Sequence, residues 1–560
     1  MRFSELWITI AAAGLFLGAC ASPGKAPPSA PVEPAKLTSS LAGKLALDCA
    51  QGQEHWRSKG VARRGGVFKQ AGSTNSQLPH LDVSVAGSVT LSSIPQVYRH
   101  LVKSRACFYE DTEIVPDLAE SWQISPDGLV WTFKLRRDVR WHNLPPVNGR
   151  AFTSADVAWT IDHQKAGGLM RSYYANVAHE EPDPYTVVLR LREPDADFLG
   201  KLEERFNVML PREVKEKHGD FKTAVVGMGP FMVKQYNSST VFLERNPDWK
   251  EMGADGRPLP YIDEIHAISF GDKQSEIAAF RAGQLDRNGL QSFGKLDYEA
   301  VLQALPKSRG YVDYVAAQWG VFFNLKSNLW GQDVRLRKAV ARAIDPEEMI
   351  AVYRGGAINT GFIPSAILKF AWSSEKAMDK FKPDREAAKK LLAEAGYGPG
   401  QLKFVLKTSP TEIPQGELIQ KQLQAVGMDP QLEVTQVHTS TVMQRGEYDI
   451  AWGAVSPGSF LVDRWLTGAL HTSGQYNVSR LSDPKVDALT AAQRQELNLD
   501  KRKQIINEIQ DYMYETMPYV PTVVINYFRL DSCQLKNMKP DHQTPNLDGL
   551  ANAWLDATGC

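Results

Sequence analysis

The chain has 560 residues, 43% hydrophobic and 23% charged, an ordinary composition for a globular protein with room for about three to four domains of ~150 residues. Lysine plus arginine equals aspartate plus glutamate at 64 each, so nothing draws nucleic acid electrostatically. No apolar run reaches the ~20 residues of a membrane span, which argues against a channel or a permease.

The apolar stretch from Trp7 to Leu17 is broken by Thr9 and Gly14 and suits the core of a signal peptide better than a membrane anchor. Arg2 and the amino terminus supply the positive end, so export is expected. Leu17, Gly18, Ala19 and Cys20 resemble the lipobox of bacterial lipoproteins, in which the cysteine is lipidated. On that resemblance residues 1–19 are a signal peptide. Residues 20–60 are then a lipidated cysteine and a Pro/Ala-rich tether, too poor in apolar residues to form a core.

Beyond the tether, helix and strand signals alternate, which points to mixed α/β structure. "SWQISPDGLVWTFKL" reads as a hairpin: Pro126, Asp127 and Gly128 form a turn, and Leu129, Trp131, Phe133 and Leu135 then alternate with polar or smaller partners. "YTVVLRLREPD" repeats the pattern through Tyr185, Val187, Leu189 and Leu191. Thr153 and Asp156 have the capping-box spacing that starts a helix. Asp384 opens a second helix, "REAAKKLLAEAG", closed by Gly396. Ile505, Ile509 and Tyr512 follow helical spacing until Pro518, after which "YVPTVVINYF" returns to strand character.

No phosphate loop, dinucleotide fingerprint, nucleophile elbow, HExxH or CxxC is found, so an enzyme would have to be cryptic. "HEEPD" at His179 lacks a second histidine one turn on and reads as a charged loop before a strand. "GYGPG" at Gly396 follows a helix instead of preceding one and reads as a cap and turn.

Five segments, "PDLAESWQISPDGLVWTFKLRRDVRW", "FTSADVAWT", "GMGPFMVKQYNSSTVFLERNPDW", "DVRLRKAVARAIDPEEMI" and "AAKKLLAEAGYG", resemble, in this order, the peptide and nickel class (family 5) of bacterial extracellular solute-binding proteins. The likeness runs from about Gly65 to Tyr527. It implies an α/β, two-lobed periplasmic-binding-protein-like fold (type II, peptide-binding class) with the ligand between the lobes. Mapped onto this chain, residues 61–100, 223–315 and 520–560 form the first lobe, 101–222 an extra subdomain on it, and 316–519 the second lobe. The chain crosses between lobes near Val315 and Tyr519. The resemblance further implies a non-enzymatic, extracytoplasmic receptor of an ABC importer, working with a permease and its ATPase subunits. A monomer without a cofactor is expected, held at a membrane by its lipid and binding no nucleic acid.

For the site, "QWGVFFNL" and "YDIAWGAVSPGSFLVDRW" match segments that line the ligand cavity in similar proteins, which makes Trp319, Phe322, Trp452, Ser456 and Asp463 the candidate ligand contacts. Arg335 and Arg337 are expected to face solvent or pair locally. In peptide-binding members a carboxylate follows the "YD" pair by about ten residues; Gly458 stands there, with Asp463 as a possible replacement. A peptide or peptide-like ligand is the leading expectation, with an oligosaccharide receptor of the same family and a lipid-anchored hydrolase as alternatives. Nickel is poorly supported, since no His/Cys cluster appears. Cys49, Cys107, Cys533 and Cys560 allow three pairings. Because Cys533 and Cys560 share the segment mapped to the first lobe, their pairing is the one expected.

Overall fold

A computed structural model describes residues 60–72, 80–85, 96–104, 114–289, 294–314, 317–353, 357–367, 369–538, 550–558 and 560. Residues 1–59, which hold the expected signal peptide, Cys20, most of the expected tether and Cys49, lie outside the described residues, as do Cys107 and Val315. Among those described, no helix is long and apolar enough to cross a membrane.

The hairpin forms as its alternation demands. Strands Ala119–Ile124 and Val130–Leu135 pair antiparallel, and Trp131, Phe133 and Leu135 are buried. Thr186–Leu191 pairs with the second of them and Val177–Asp183 closes this four-stranded sheet. His179 therefore sits in a strand and not in a loop. The register shift between Glu180 and Asp183 absorbs Pro182 as a bulge, while the imidazole binds Glu181 at 2.6 Å and Asp162 at 3.0 Å. The helix Ser154–Gly167 begins where expected, with the Asp156 carboxylate accepting from the Thr153 amide at 2.9 Å.

A second four-stranded sheet runs in the order Val67–Ala71, Glu264–Ile268, Thr240–Arg245, Phe231–Tyr236. One continuous core, from Phe68 to Ala267 with Leu535 to Ala553, serves both sheets. The extra subdomain thus has no separate interior; it shares that of the first lobe. Cys533 and Cys560 are joined by a disulfide, their Cα atoms 5.3 Å apart, beside the short pair Leu535–Lys536 and Trp554–Leu555.

The strands mapped to the second lobe lie in a seven-stranded sheet that also takes in Arg309–Tyr314. Its order is Arg309–Tyr314, Tyr519–Asp531, Gln318–Phe323, Ile450–Val455, Lys403–Thr408, Asp429–Val434, with Ala357–Asn359 added along Tyr519–Asp531. The core of this lobe runs from Val321 to Val523. Strand Tyr519–Asp531 serves both lobes: Tyr519 to Val523 face Gln318–Phe323, whereas Asn526 to Asp531 face Arg309–Tyr314. The crossing on this strand therefore lies beyond Tyr519, between Val523 and Asn526. Asp531, fully buried, fixes its far end by accepting from Arg287 at 2.7 Å and Arg309 at 2.6 Å.

Two helices of this lobe refine the sequence reading. Asp384 caps Arg385–Glu394 by accepting from the Ala387 amide at 2.9 Å, and Gly396 takes a φ of +90° just past its end. In Leu499–Thr516 the core side chains are Ile506, Ile509 and Met513, so the helix is turned slightly from the Ile505/Ile509/Tyr512 stripe. Arg335 pairs with Asp333 as expected. Arg337 is instead buried, donating to the carbonyls of Thr516, Met517 and Trp330, and burial pushes its pKa down to about 10.

Candidate functional site

Strands Lys403–Thr408, Asp429–Val434 and Ile450–Val455 are mutually parallel, so their carboxyl ends share one edge of the second lobe. Gln318–Phe323 runs the opposite way and starts at that edge, with Gln318 opposite Val455 and Trp319 opposite Ala454. The carboxyl edge of such a sheet is where α/β proteins bind ligands, because the loops leaving it diverge and open a crevice. Three segments converge there: Trp319, the turn 408–412, and the loop 456–460.

The turn is stiff for local reasons. Pro410 and Pro414 open the one-turn helix Pro410–Glu412 and the helix Ile413–Gln424, where a missing N–H costs nothing. Thr408 Oγ1 donates to the Glu412 carbonyl at 3.1 Å. This holds the Glu412 side chain, 7% exposed, against the half-buried Trp319: the indole Nε1–H donates to Oε1 at 2.8 Å and Ser409 Oγ to Oε2 at 2.9 Å. Thr522 in turn donates to the Trp319 carbonyl at 2.9 Å. The pairing of Trp319 with Glu412 had no signal in the sequence, since the two are 93 residues apart.

The other expected contacts separate. Ser456 lies exposed on the loop after Ile450–Val455. Gly458, also exposed, has a φ of +71°, and a Cβ there would meet nothing within 4 Å. Phe322 is buried and stacked on Tyr519, ring centroids 5.0 Å apart. Trp452 is 0% exposed within the second lobe's core. Both aromatics pack within the core of the second lobe. The reason is the sheet itself, covered on both faces, so that alternate side chains are buried either way.

Asp463 is occupied elsewhere. One oxygen accepts from Lys201 Nζ at 2.9 Å, the other from Arg494 at 2.8 Å, Gln493 at 2.9 Å and Thr467 at 3.0 Å. With its lone pairs filled by protein donors, it does not replace a carboxylate at Gly458. Burial would raise its pKa, but the Lys201 ammonium and the Arg494 guanidinium outweigh burial and hold it well below the usual carboxylate range. At Asp195 burial outweighs the Lys201 ammonium 2.6 Å away, and its pKa is raised.

These groups tie the extra subdomain to the second lobe. Arg502 holds Asp197 with bonds of 2.6 and 2.8 Å, Asp197 accepts from the Asp463 amide at 3.1 Å, and Ser459 donates to the buried Glu204. A cavity of about 300 Å³ lies alongside, lined by Tyr173, Arg192, Lys201, Arg464, Tyr476 and Arg494 among others. Among the described residues no cluster of three or more His, Cys, Asp or Glu is placed to hold a metal ion.

Residues 113–477 match the description of bacterial extracellular solute-binding proteins, family 5. The chain belongs to this family. A protein of Brucella ovis named as an ABC transporter peptide-binding protein is 27% identical over 463 residues, covering 77% of this chain and 82% of that one. Heme-binding protein A of Haemophilus influenzae is 26% identical over 476 residues, covering 78% and 83%. In structure, the ABC transporter-associated periplasmic binding protein of Helicobacter pylori in complex with the peptide STSA superimposes with a TM-score of 0.71 at 23% identity, covering 88% of this chain and 98% of that one. The two-lobed α/β fold of the family is thus the fold of this chain. Proteins of this family are extracytoplasmic solute-binding receptors of ABC transporters and not enzymes.

Proposed function

We propose that this protein is the solute-binding lipoprotein of an ABC importer, which captures a peptide or peptide-like solute between its lobes and delivers it to a permease. The observation that carries the reading is the convergence of Trp319, the 408–412 turn and the 456–460 loop at the carboxyl edge of the second lobe. That edge adjoins the strand on which the chain crosses to the first lobe, and contacts spanning both lobes favour closure only through interactions the open form lacks. A relative named for peptide binding supports the ligand class. A lipid on Cys20 with a proline-rich spacer would keep the receptor near its permease.

A thermal-shift screen with dipeptides, longer peptides and oligosaccharides tests the reading. A ligand at ~100 times its dissociation constant stabilises by ~2.7 kcal/mol. Stabilisation by sugars alone would replace the peptide reading with the oligosaccharide one. Turnover of any of these compounds would overturn the receptor reading itself.

A further inference from the structure

The Glu412 carboxylate stands out among the buried acids. Asp117, Asp463 and Asp531 each face an arginine or lysine, and Asp82 is held by the backbone amides of Ser84 and Phe221. Glu412, 7% exposed, has an indole and a hydroxyl as its side-chain partners, both neutral. Among the described residues no cation pairs with it; Lys407 is turned to Glu433 at 3.2 Å. A buried anion without a counter-charge is costly, and this one lies on the edge where a solute binds.

A further acceptor lies close by. Gln415 is one helical turn on, and its Oε1 is buried without a donor. Burial first, and then the negative charge of Glu412, push the Tyr353 pKa up, against a hydrogen bond with Gln415 that lowers it. The half-buried Trp319 adds an aromatic surface suited to a cation. Carboxylate, amide oxygen and indole together ask for a group with positive charge and several N–H donors.

We propose that Glu412, with Trp319 beside it, is the cation-binding position of the solute site, so that the solute carries an ammonium or guanidinium group. This rests on the receptor reading above.

Four tripeptides test it: Ala-Arg-Ala and its citrulline analogue, each with a free and an acetylated amino terminus. Affinity is measured by calorimetry and occupancy by the Trp319 indole N–H resonance, assigned with Trp319→Phe. The acetylated citrulline peptide is expected to bind at least tenfold more weakly than the best cationic member. Glu412→Gln, which keeps an acceptor for the indole, should close that gap to less than threefold without lowering the melting temperature. No gap in the wild type, or a gap that persists in Glu412→Gln, overturns the proposal. If no tripeptide binds, the peptide reading fails, and agmatine decides the cation position alone. A Trp319 shift with agmatine that Glu412→Gln abolishes upholds it, and no shift overturns it.

Discussion

Lys201 supplies the positive charge at the junction of the extra subdomain and the second lobe, and replacing it with methionine isolates what that charge does. The ammonium lies 2.6 Å from Asp195 and 2.9 Å from Asp463, and the residue is 6% exposed. Methionine keeps the packing of the stem and removes the charge, leaving two carboxylates buried near each other with only Arg494 still facing Asp463. Breaking a buried pair in this way costs about 3–5 kcal/mol. For a cooperative unit of ~500 residues, with an unfolding entropy near 1 kcal/mol per K, that is a fall of roughly 3–5 °C in Tm. Because the pair spans two lobes, the molecule can also relieve it by separating them, which would increase the radius of gyration. The loss should shrink as pH falls from 7 towards 5. Asp195 already has a raised pKa through burial, further raised by Asp463 and Asp197, and without Lys201 it rises again. A carboxyl group whose folded pKa lies above its unfolded value binds its proton first in the folded state, so stability increases as pH drops through the folded pKa. Calorimetry across that range, with X-ray scattering on the same samples, reads both effects. An unchanged Tm together with an unchanged scattering curve would refute the reasoning.

At Asp531 the sign is opposite: burial raises its pKa, but Arg287 and Arg309 outweigh burial and lower it. Its contribution is present above the unfolded value near 3.9 and lost as pH falls below it. Asp531→Asn should therefore cost about 3–5 kcal/mol at pH 7 and flatten the acid limb of an unfolding titration. Trp452→Ala is expected to destabilise folding by about 3–5 kcal/mol while leaving ligand affinity in the folded fraction unchanged. Trp319→Ala should cost about 2 kcal/mol of binding, and measuring affinity and unfolding on both variants separates the two roles. The Cys533–Cys560 disulfide closes a separation of 27 residues, worth about 3.5 kcal/mol on chain-entropy grounds; unreduced peptide mapping and urea unfolding of Cys533→Ser check it. Cys20→Ala should move the protein from the membrane fraction to the soluble one, and retention in high salt would remove the lipid from the proposal.

The hairpin at Pro126–Gly128 and the helices capped by Thr153 and Asp384 were legible in the sequence because their causes are local. A turn residue, a capping carboxylate or an alternation of two acts within a few positions and leaves its mark there. The last long helix shows the limit of such marks. Ile505, Ile509 and Tyr512 satisfy helical spacing as well as Ile506, Ile509 and Met513 do, and the neighbouring elements decide which stripe is buried. The crossing strand shows another limit, since a single strand-like run such as "YVPTVVINYF" does not say which neighbour pairs with each of its halves.

The candidate site was legible only as a set of segments. Those segments do reach one edge of the second lobe, but within them the side chains divide by burial: Trp319 stays at the edge, while Trp452 and Phe322 enter the core. No property of tryptophan in the sequence distinguishes those outcomes, because they depend on which face of the sheet a helix covers. By itself, then, the sequence determined the family and the fold class through segments that resemble family 5, and most of the local elements through periodicity, caps and turns that act over a few residues. Only the tertiary structure decided that Asp463 is filled by Lys201 and Arg494, and that Glu412 lies against Trp319 with no cation paired to it among the described residues. Those facts depend on contacts between residues far apart in the chain, where burial strengthens or isolates a charge according to neighbours that no local pattern specifies.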